Sequence, residues 1–204
     1  MAVTESISDN IIVLDTETIG LPIFTKYRGF FIPSNYSKYN TARVIEIGYF
    51  VYNKTGDVVS KKDMLIIPNG FIIENTEIHG IKHEDAERDG ISFEKALEQL
   101  LNDLQSCDTF VAHNLMFDFN VILAECYRLL ANGTNIIAKG VVDKMNNMKK
   151  ICTIKLAKDK LKIDKKMKLV HLYKHLKGID WEQKHRADDD ARVCGECYWH
   201  LINM

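Results

Sequence analysis

Four carboxylates stand where an α/β sheet would bring its strand ends together. Asp15 and Glu17 follow the short apolar run Asn-Ile-Ile-Val-Leu in the sequence Asp-Thr-Glu-Thr. At i, i+2 on a strand their side chains leave the same face. Asp118 closes His-Asn-Leu-Met-Phe-Asp just after a second strand-like run, and Asp190 lies in His-Arg-Ala-Asp-Asp-Asp-Ala. Ligand sites in open α/β sheets gather at the carboxyl ends of strands. Two ionised carboxylates about 5 Å apart repel by about 3 kcal/mol at an effective dielectric of 20. Divalent cations would cancel that charge, and hard oxygen ligands suit magnesium or manganese. Two such ions about 4 Å apart are suited to in-line displacement at phosphorus. Other readings stay open on spacing alone. Acids in a helix's first turn favour its macrodipole, which would account for Asp188, Asp189 and Asp190, and equally for Asp118. Asp15 and Glu17 could be an ordinary polar strand end.

The elements that must position these acids are legible in the hydrophobic pattern. Asn10–Asp15 and Val44–Tyr52 read as strands, and Thr55-Gly56-Asp57 marks a turn from which Val58–Ile67 returns as a hairpin partner. Ser92 is a predicted N-cap for a helix to Leu104, with Phe93, Ala96, Leu97, Leu100, Leu101 and Leu104 at helical spacing. Thr109–Ala112 reads as a buried strand, followed by a helix from about Phe117 to Leu130. A short strand is expected at Ile151–Ile154, then helices at Lys155–Leu161, Lys168–Leu176 and Ala187–Ile202. Hairpin-linked strands followed by alternating helix and strand predict one α/β domain over residues 1–204, a mixed sheet with helices on both faces.

Composition narrows the class. The 204 residues carry a net charge of -1 and are 46% hydrophobic, enough for one domain with a core. No apolar run approaches the roughly 18 residues of a membrane span. Met1–Asn10 is polar and acidic, unlike a signal peptide, so an intracellular protein is expected, cytoplasmic with the nucleus left open. Five cysteines agree with a reducing compartment. Cys194-x-x-Cys197 has no second pair to complete a zinc site and reads as two small apolar residues on one helix face. His171 and His175 are at i, i+4 but lack the acid of a helical zinc-protease motif. Between Lys139 and Lys168 eleven lysines face three acids, a local +8 against about -9 elsewhere. Such a run serves a polyanion or is a solvated face. Between Pro22 and Arg43, Phe24, Tyr27, Phe30, Phe31, Tyr36 and Tyr39 are interleaved with Lys26, Arg28 and Lys38. These rings either stack on unpaired bases or fold under the loop as a small satellite core.

Taken in order, Asp-Thr-Glu-Thr-Ile-Gly-Leu, Ala-His-Asn-x-x-Phe-Asp and His-x-Ala-x-x-Asp-Ala resemble the three motifs of the DEDDh branch of 3′→5′ exonucleases. The resemblance runs from Ile11 to about Leu201 and takes in Ile78-His79-Gly80-Ile81 and Cys152-Thr153-Ile154-Lys155-Leu156-Ala157. It implies an RNase H-like fold with a five-stranded mixed sheet. It implies that Asp15, Glu17, Asp118 and Asp190 hold two magnesium or manganese ions and that His185 is the general base. On one continuous helix His185 and Asp190 would point about 140° apart, so His185 is expected ahead of the helix, free to swing over the metals. An imidazole can take a proton near neutral pH. Arg186 stands where the tyrosine branch of these enzymes places its tyrosine. The resemblance also implies that Thr18, Leu21, Ile78, His79 and Asn114 touch the terminal nucleotides. Ile19 departs from the pattern, since many relatives carry a second threonine there. The expected substrates are single-stranded or frayed DNA 3′ ends, with RNA as the alternative and a DNA polymerase as a candidate partner. The rival class is a catalytically silent module that binds nucleic acid or tethers a polymerase. All five catalytic positions are intact, which counts against it.

Overall fold

The computed structural model of the protein describes residues 9–27, 29–74 and 76–204. Arg28 of the aromatic loop and most of the polar N-terminal stretch lie outside the described residues. Five strands, β1 (Asn10–Thr18), β2 (Val44–Tyr52), β3 (Val58–Leu65), β4 (Cys107–Ala112) and β5 (Lys149–Cys152), form one sheet in the order β3-β2-β1-β4-β5. β1 pairs antiparallel with β2 and parallel with β4, so it joins a hairpin meander to a parallel half. The hairpin turns where predicted: Asn53 Oδ1 accepts from the Thr55 and Asp57 amides, and Gly56 takes φ 89°.

Among the described residues eight α-helices accompany the sheet: α1 (Thr76–His79), α2 (His83–Asp89), α3 (Phe93–Leu104), α4 (Met116–Ala131), α5 (Ile136–Asn147), α6 (Thr153–Leu161), α7 (Leu169–Lys177) and α8 (Ala187–Ile202). Strand alternation sorts the core into two layers. Ile12 and Leu14 of β1 and Phe110 of β4 pack with Leu97, Leu100, Ile122, Val141 and Met145 of α3, α4 and α5. Val13 and Val111 face the opposite way, onto Ala157, Leu172, Val193, Cys194, Cys197 and Leu201 of α6, α7 and α8. Each large aliphatic side chain fully buried there contributes about 1.5–3 kcal/mol. Cys194 and Cys197 are core residues of α8, while His171 and His175 are exposed on α7. Among the described residues no helix is long and apolar enough to cross a membrane.

Three differences from the sequence expectations have physical causes. β1 runs on through Thr18, because Asp15, Thr16 and Glu17 keep their pairing with Gly48, Ile47 and Glu46 of β2. β5 stops at Cys152, where its partner β4 ends at Ala112, so Thr153 and Ile154 begin α6 rather than end a strand. Helix α5 was not expected. Its apolar residues Ala138, Val141, Val142 and Met145 are helically spaced, and Asn135 caps it by accepting from the Ala138 amide at 2.8 Å. It also divides the basic run, because α5 packs on the α3–α4 side of the sheet and α6 on the α8 side. The run is therefore not one surface.

The aromatic loop divides as well. Tyr39 is buried, its hydroxyl donating to the Phe31 carbonyl at 2.5 Å, and Tyr36 and Phe31 pack against the same core. Arg128 of α4 ties the loop down by donating to Asn40 Oδ1 and the Tyr36 carbonyl, while Glu125 accepts from Arg43 and Arg128. Phe24 and Tyr27 are exposed, and Phe24 and Phe30 lie with ring centroids 5.4 Å apart.

Candidate active site

The geometry starts from one glycine. A side chain at Gly48 of β2 would overlap the backbone of Ala187 and Asp188, so glycine is what lets the first turn of α8 sit directly on the sheet. On the same sheet face Glu46 is fully buried. Its carboxylate accepts from the Ala187 amide at 2.8 Å and from Arg186 Nε at 2.9 Å, with Arg186 Nη2 as a further partner. This capping charge at the helix N-terminus fixes where Asp190, one turn on, must point. Glu46 lies opposite Glu17 in the β1–β2 register. Sequence reasoning missed it. The available signal was a glutamate inside the apolar run Val-Ile-Glu-Ile-Gly-Tyr, since a carboxylate there needs a partner.

Asp118 arrives from the other face of the sheet. It sits in the first turn of α4, and its Oδ1 accepts from the Thr16 amide at 3.0 Å and from Thr16 Oγ1 at 2.9 Å. These bonds pin α4 to the end of β1. Asp15, Glu17, Leu21, Asn114, Asp118, His185 and Asp190 all line one cleft of about 590 Å³ at the carboxyl ends of β1 and β4. Lys166 and Lys168 line it too, the only lysines of the basic run that do so among the described residues. His185 lies outside α8, in the segment before it, with φ 50°. Three non-glycine residues among those described have positive φ, and two of them, Asn114 and His185, face this cleft. Strained backbone of this kind costs of order 1–3 kcal/mol and collects at functional sites.

Not every expected residue joins the cleft. Thr18 donates from Oγ1 to the Gly20 carbonyl at 2.8 Å. Ile78 is exposed on α1 away from the cleft lining. His79 is only 3% exposed; its Nδ1 accepts from the Ile81 amide, and its Nε2 has no partner among the described residues. Burial lowers its pKa. Asp189 differs from a plain helix-start charge, since it accepts from Trp181 Nε1 at 3.1 Å and from Arg192. His113, unassigned by sequence, bridges Thr153 Oγ1 at 2.8 Å and the Met167 carbonyl at 3.1 Å. Burial holds it neutral, with its pKa pushed down to about 4. It thereby fastens the segment bearing Lys166 and Lys168 to the sheet.

The electrostatics are those of buried acids crowded together. Burial raises Asp15 well above the carboxylate range, with Asp118, Asp190, Glu17 and Glu46 adding to it. Burial and then Asp190 push Glu17 up to about 9. Burial raises Asp118 to about 7 against the Thr16 bonds, and Asp190 to about 6 against a bond from Gln183. Asp190 Oδ1 is buried without a partner among the described residues. One ligand atom each from Glu17, His185 and Asp190 falls within 4.8 Å of the others. An orphaned carboxylate oxygen among hard oxygen donors fits a divalent cation of the magnesium or manganese kind.

These shifts set a stability signature. In the metal-free protein the folded acids hold protons that the unfolded chain releases, so stability falls as pH rises from the ordinary carboxylate range, about 4, toward 9. Cation binding releases those protons and removes the penalty. At about 100 times its dissociation constant, a cation adds about 2.7 kcal/mol, or about 5–10 °C in a chain of this size. The Mn²⁺-induced rise in melting temperature is therefore expected to be small at pH 5 and to reach that range at pH 8. A pH-independent rise would separate cation binding from these acids.

A family model for exonucleases (RNase_T) matches residues 12–198. Among solved structures, exonuclease X in complex with 5′ overhanging duplex DNA is 20% identical with a TM-score of 0.61, over 95% of this chain and 91% of that one. The zinc-bound complex of E. coli exonuclease I with single-stranded DNA is 14% identical with a TM-score of 0.67, over 96% of this chain. Exonuclease I from Methylocaldum szegediense is 15% identical with a TM-score of 0.66. This chain spans 40% of each of those two exonuclease I chains. At these identities the likeness is one of fold. No curated protein matches the chain in sequence.

Proposed function

Since the chain belongs to the exonuclease family, we propose that it removes nucleotides one at a time from the 3′ end of single-stranded or frayed DNA, releasing nucleoside 5′-monophosphates. The observation that carries this reading is the convergence of Asp15, Glu17, Asp118, Asp190 and His185 on one cleft. The four carboxylates would hold two magnesium or manganese ions, which supply charge neutralisation and polarisation of the scissile phosphodiester. His185 takes a proton from the attacking water as its oxygen bonds to phosphorus. The P–O3′ bond breaks, and the 3′ oxygen stays with the shortened strand, where it takes up a proton from solvent water to become the new 3′ hydroxyl. Leu21, exposed at the cleft mouth, offers an apolar edge to the last base. DNA is preferred as substrate because the Asp-Thr-Glu-Thr-x-Gly-Leu opening resembles proofreading-type members, and because two solved relatives are DNA complexes.

Matched DNA and RNA oligonucleotides labelled at the 5′ end test the proposal. With Mg²⁺, the DNA is expected to give a ladder shortening from its 3′ end. Shortening of RNA alone would make the protein an exoribonuclease, and intact substrates of both kinds would make it a silent binding module.

Grip on the strand is expected to come from Lys166 and Lys168 rather than from the whole basic run. Phosphate contacts carry no sequence information, and each adds about 0.7 to the salt slope of single-strand binding. Replacing both by Gln is expected to lower that slope by about 1.4 for a long oligonucleotide. Replacing Lys139 and Lys144 on the far side of the sheet is expected to leave it unchanged. Equal slopes for the two double variants would remove Lys166 and Lys168 from the strand path.

A further inference from the structure

The segment between α7 and α8 carries His185, and it is fastened at both ends. At its far end Trp181 donates to Asp189 and packs edge-on against Tyr173, with ring centroids 6.1 Å apart. At its near end Arg186 is held by Glu46. Between these anchors Gln183 turns into the cleft and donates from Nε2 to Asp190 Oδ2 at 2.7 Å. A carboxylate only accepts, so the amide nitrogen is the atom that faces it. The two oxygens of Asp190 are thus unequal. Oδ2 is held by Gln183, and Oδ1 is buried without a partner among the described residues.

We propose that Gln183 is a positioning residue that holds Asp190 by one oxygen and turns the other toward the cation. This inference rests on the reading of Asp190 as a cation ligand and adds a role for a residue outside the three motifs. The bond also crosses from the His185 segment to α8, so the same contact sets the distance between the imidazole and the carboxylates. A ligand rotated about its terminal torsion presents its lone pairs poorly. Groups that fix such ligands from behind are worth about 10–100-fold in metal affinity.

Gln183→Met keeps the side-chain length and removes the donor. Binding of Mn²⁺ alone to the full chain, read by electron paramagnetic resonance of the free ion, is expected to weaken about 10–100-fold. The metal-free melting temperature is expected to stay at the wild-type value, because Gln183 is half-exposed and outside both core layers. Exonuclease rate is expected to climb back toward wild type as Mn²⁺ is raised, which a general loss of structure would not allow. Unchanged Mn²⁺ affinity in Gln183→Met, with Mn²⁺ bound by the wild type, would overturn the role of Gln183 and leave the site reading standing. Absence of Mn²⁺ binding by the wild type itself would overturn the site reading and this proposal with it.

Discussion

Replacing Asp118 by Asn is expected to stop turnover while leaving the fold intact. The loss is expected to exceed about 10³-fold, or about 4 kcal/mol at about 1.36 kcal/mol per decade. The structure makes this substitution unusually clean. Asp118 Oδ1 accepts from the Thr16 amide and hydroxyl, and the amide oxygen of Asn can accept both. The pin between α4 and β1 therefore survives. What disappears is the negative charge, which a cation needs and which neighbouring acids resist, since burial already raises Asp118 to about 7. Two opposite signs follow from one change. The metal-free variant is expected to melt at or above the wild-type temperature at pH 8, because one repelling carboxylate has gone. The Mn²⁺-induced rise is expected to shrink. Asp188→Asn, in the first turn of α8 but outside the cleft lining, is the comparison, with an expected effect of about 0.3–1 kcal/mol. Asp118→Asn activity within about tenfold of wild type would remove Asp118 from the site.

How far the sequence carries the fold depends on how locally each element is determined. β2 and α8 occupy the predicted residues, because each has an unbroken period and a sharp boundary: Arg43 before a β-branched run, and a cluster of acids at a helix start. Ser92 caps α3 as expected, accepting from the Lys95 amide. The boundary between β5 and α6 was not legible, since it is set by where β4 ends, at Ala112, far from Cys152 in the chain. Helix α5 was hidden by its own lysines, which drew attention to charge where the apolar spacing of Val141 and Met145 carried the structure.

For the site, the motif residues were legible and their supports were not. Asp15 and Glu17 share a face because strand alternation requires it, and that inference needs only the sequence. Glu46 and Gln183 act through contacts spanning 141 and 7 residues respectively, and neither stands in a motif. His79 is a motif residue whose surroundings were equally illegible. Its motif position suggested a substrate contact, yet the short helix α1 turns it inward onto the Ile81 amide. Only packing could reveal that.

His185→Ala is expected to lower the rate by about 10²–10⁴-fold, and its interest lies in what else changes. The three motifs imply a general base. The geometry adds a rival, because an imidazole nitrogen comes within 4.8 Å of ligand atoms on Glu17 and Asp190, near enough for His185 to be a ligand itself. Alanine keeps the Cβ, so the backbone cost of φ 50° is the same in both proteins and the melting temperature is expected to change little. A base and a ligand then part company in two measurements. For a base, Mn²⁺ affinity stays at the wild-type value while the rate falls, and added Mn²⁺ does not restore it. For a ligand, Mn²⁺ affinity falls together with the rate, and added Mn²⁺ restores much of the loss. The expected result is the first, because the motif resemblance implies a base and His185 stands outside α8, on the segment that leads into it. A rate in His185→Ala within about tenfold of wild type would assign proton removal to another group and leave the imidazole without the role its motif implies.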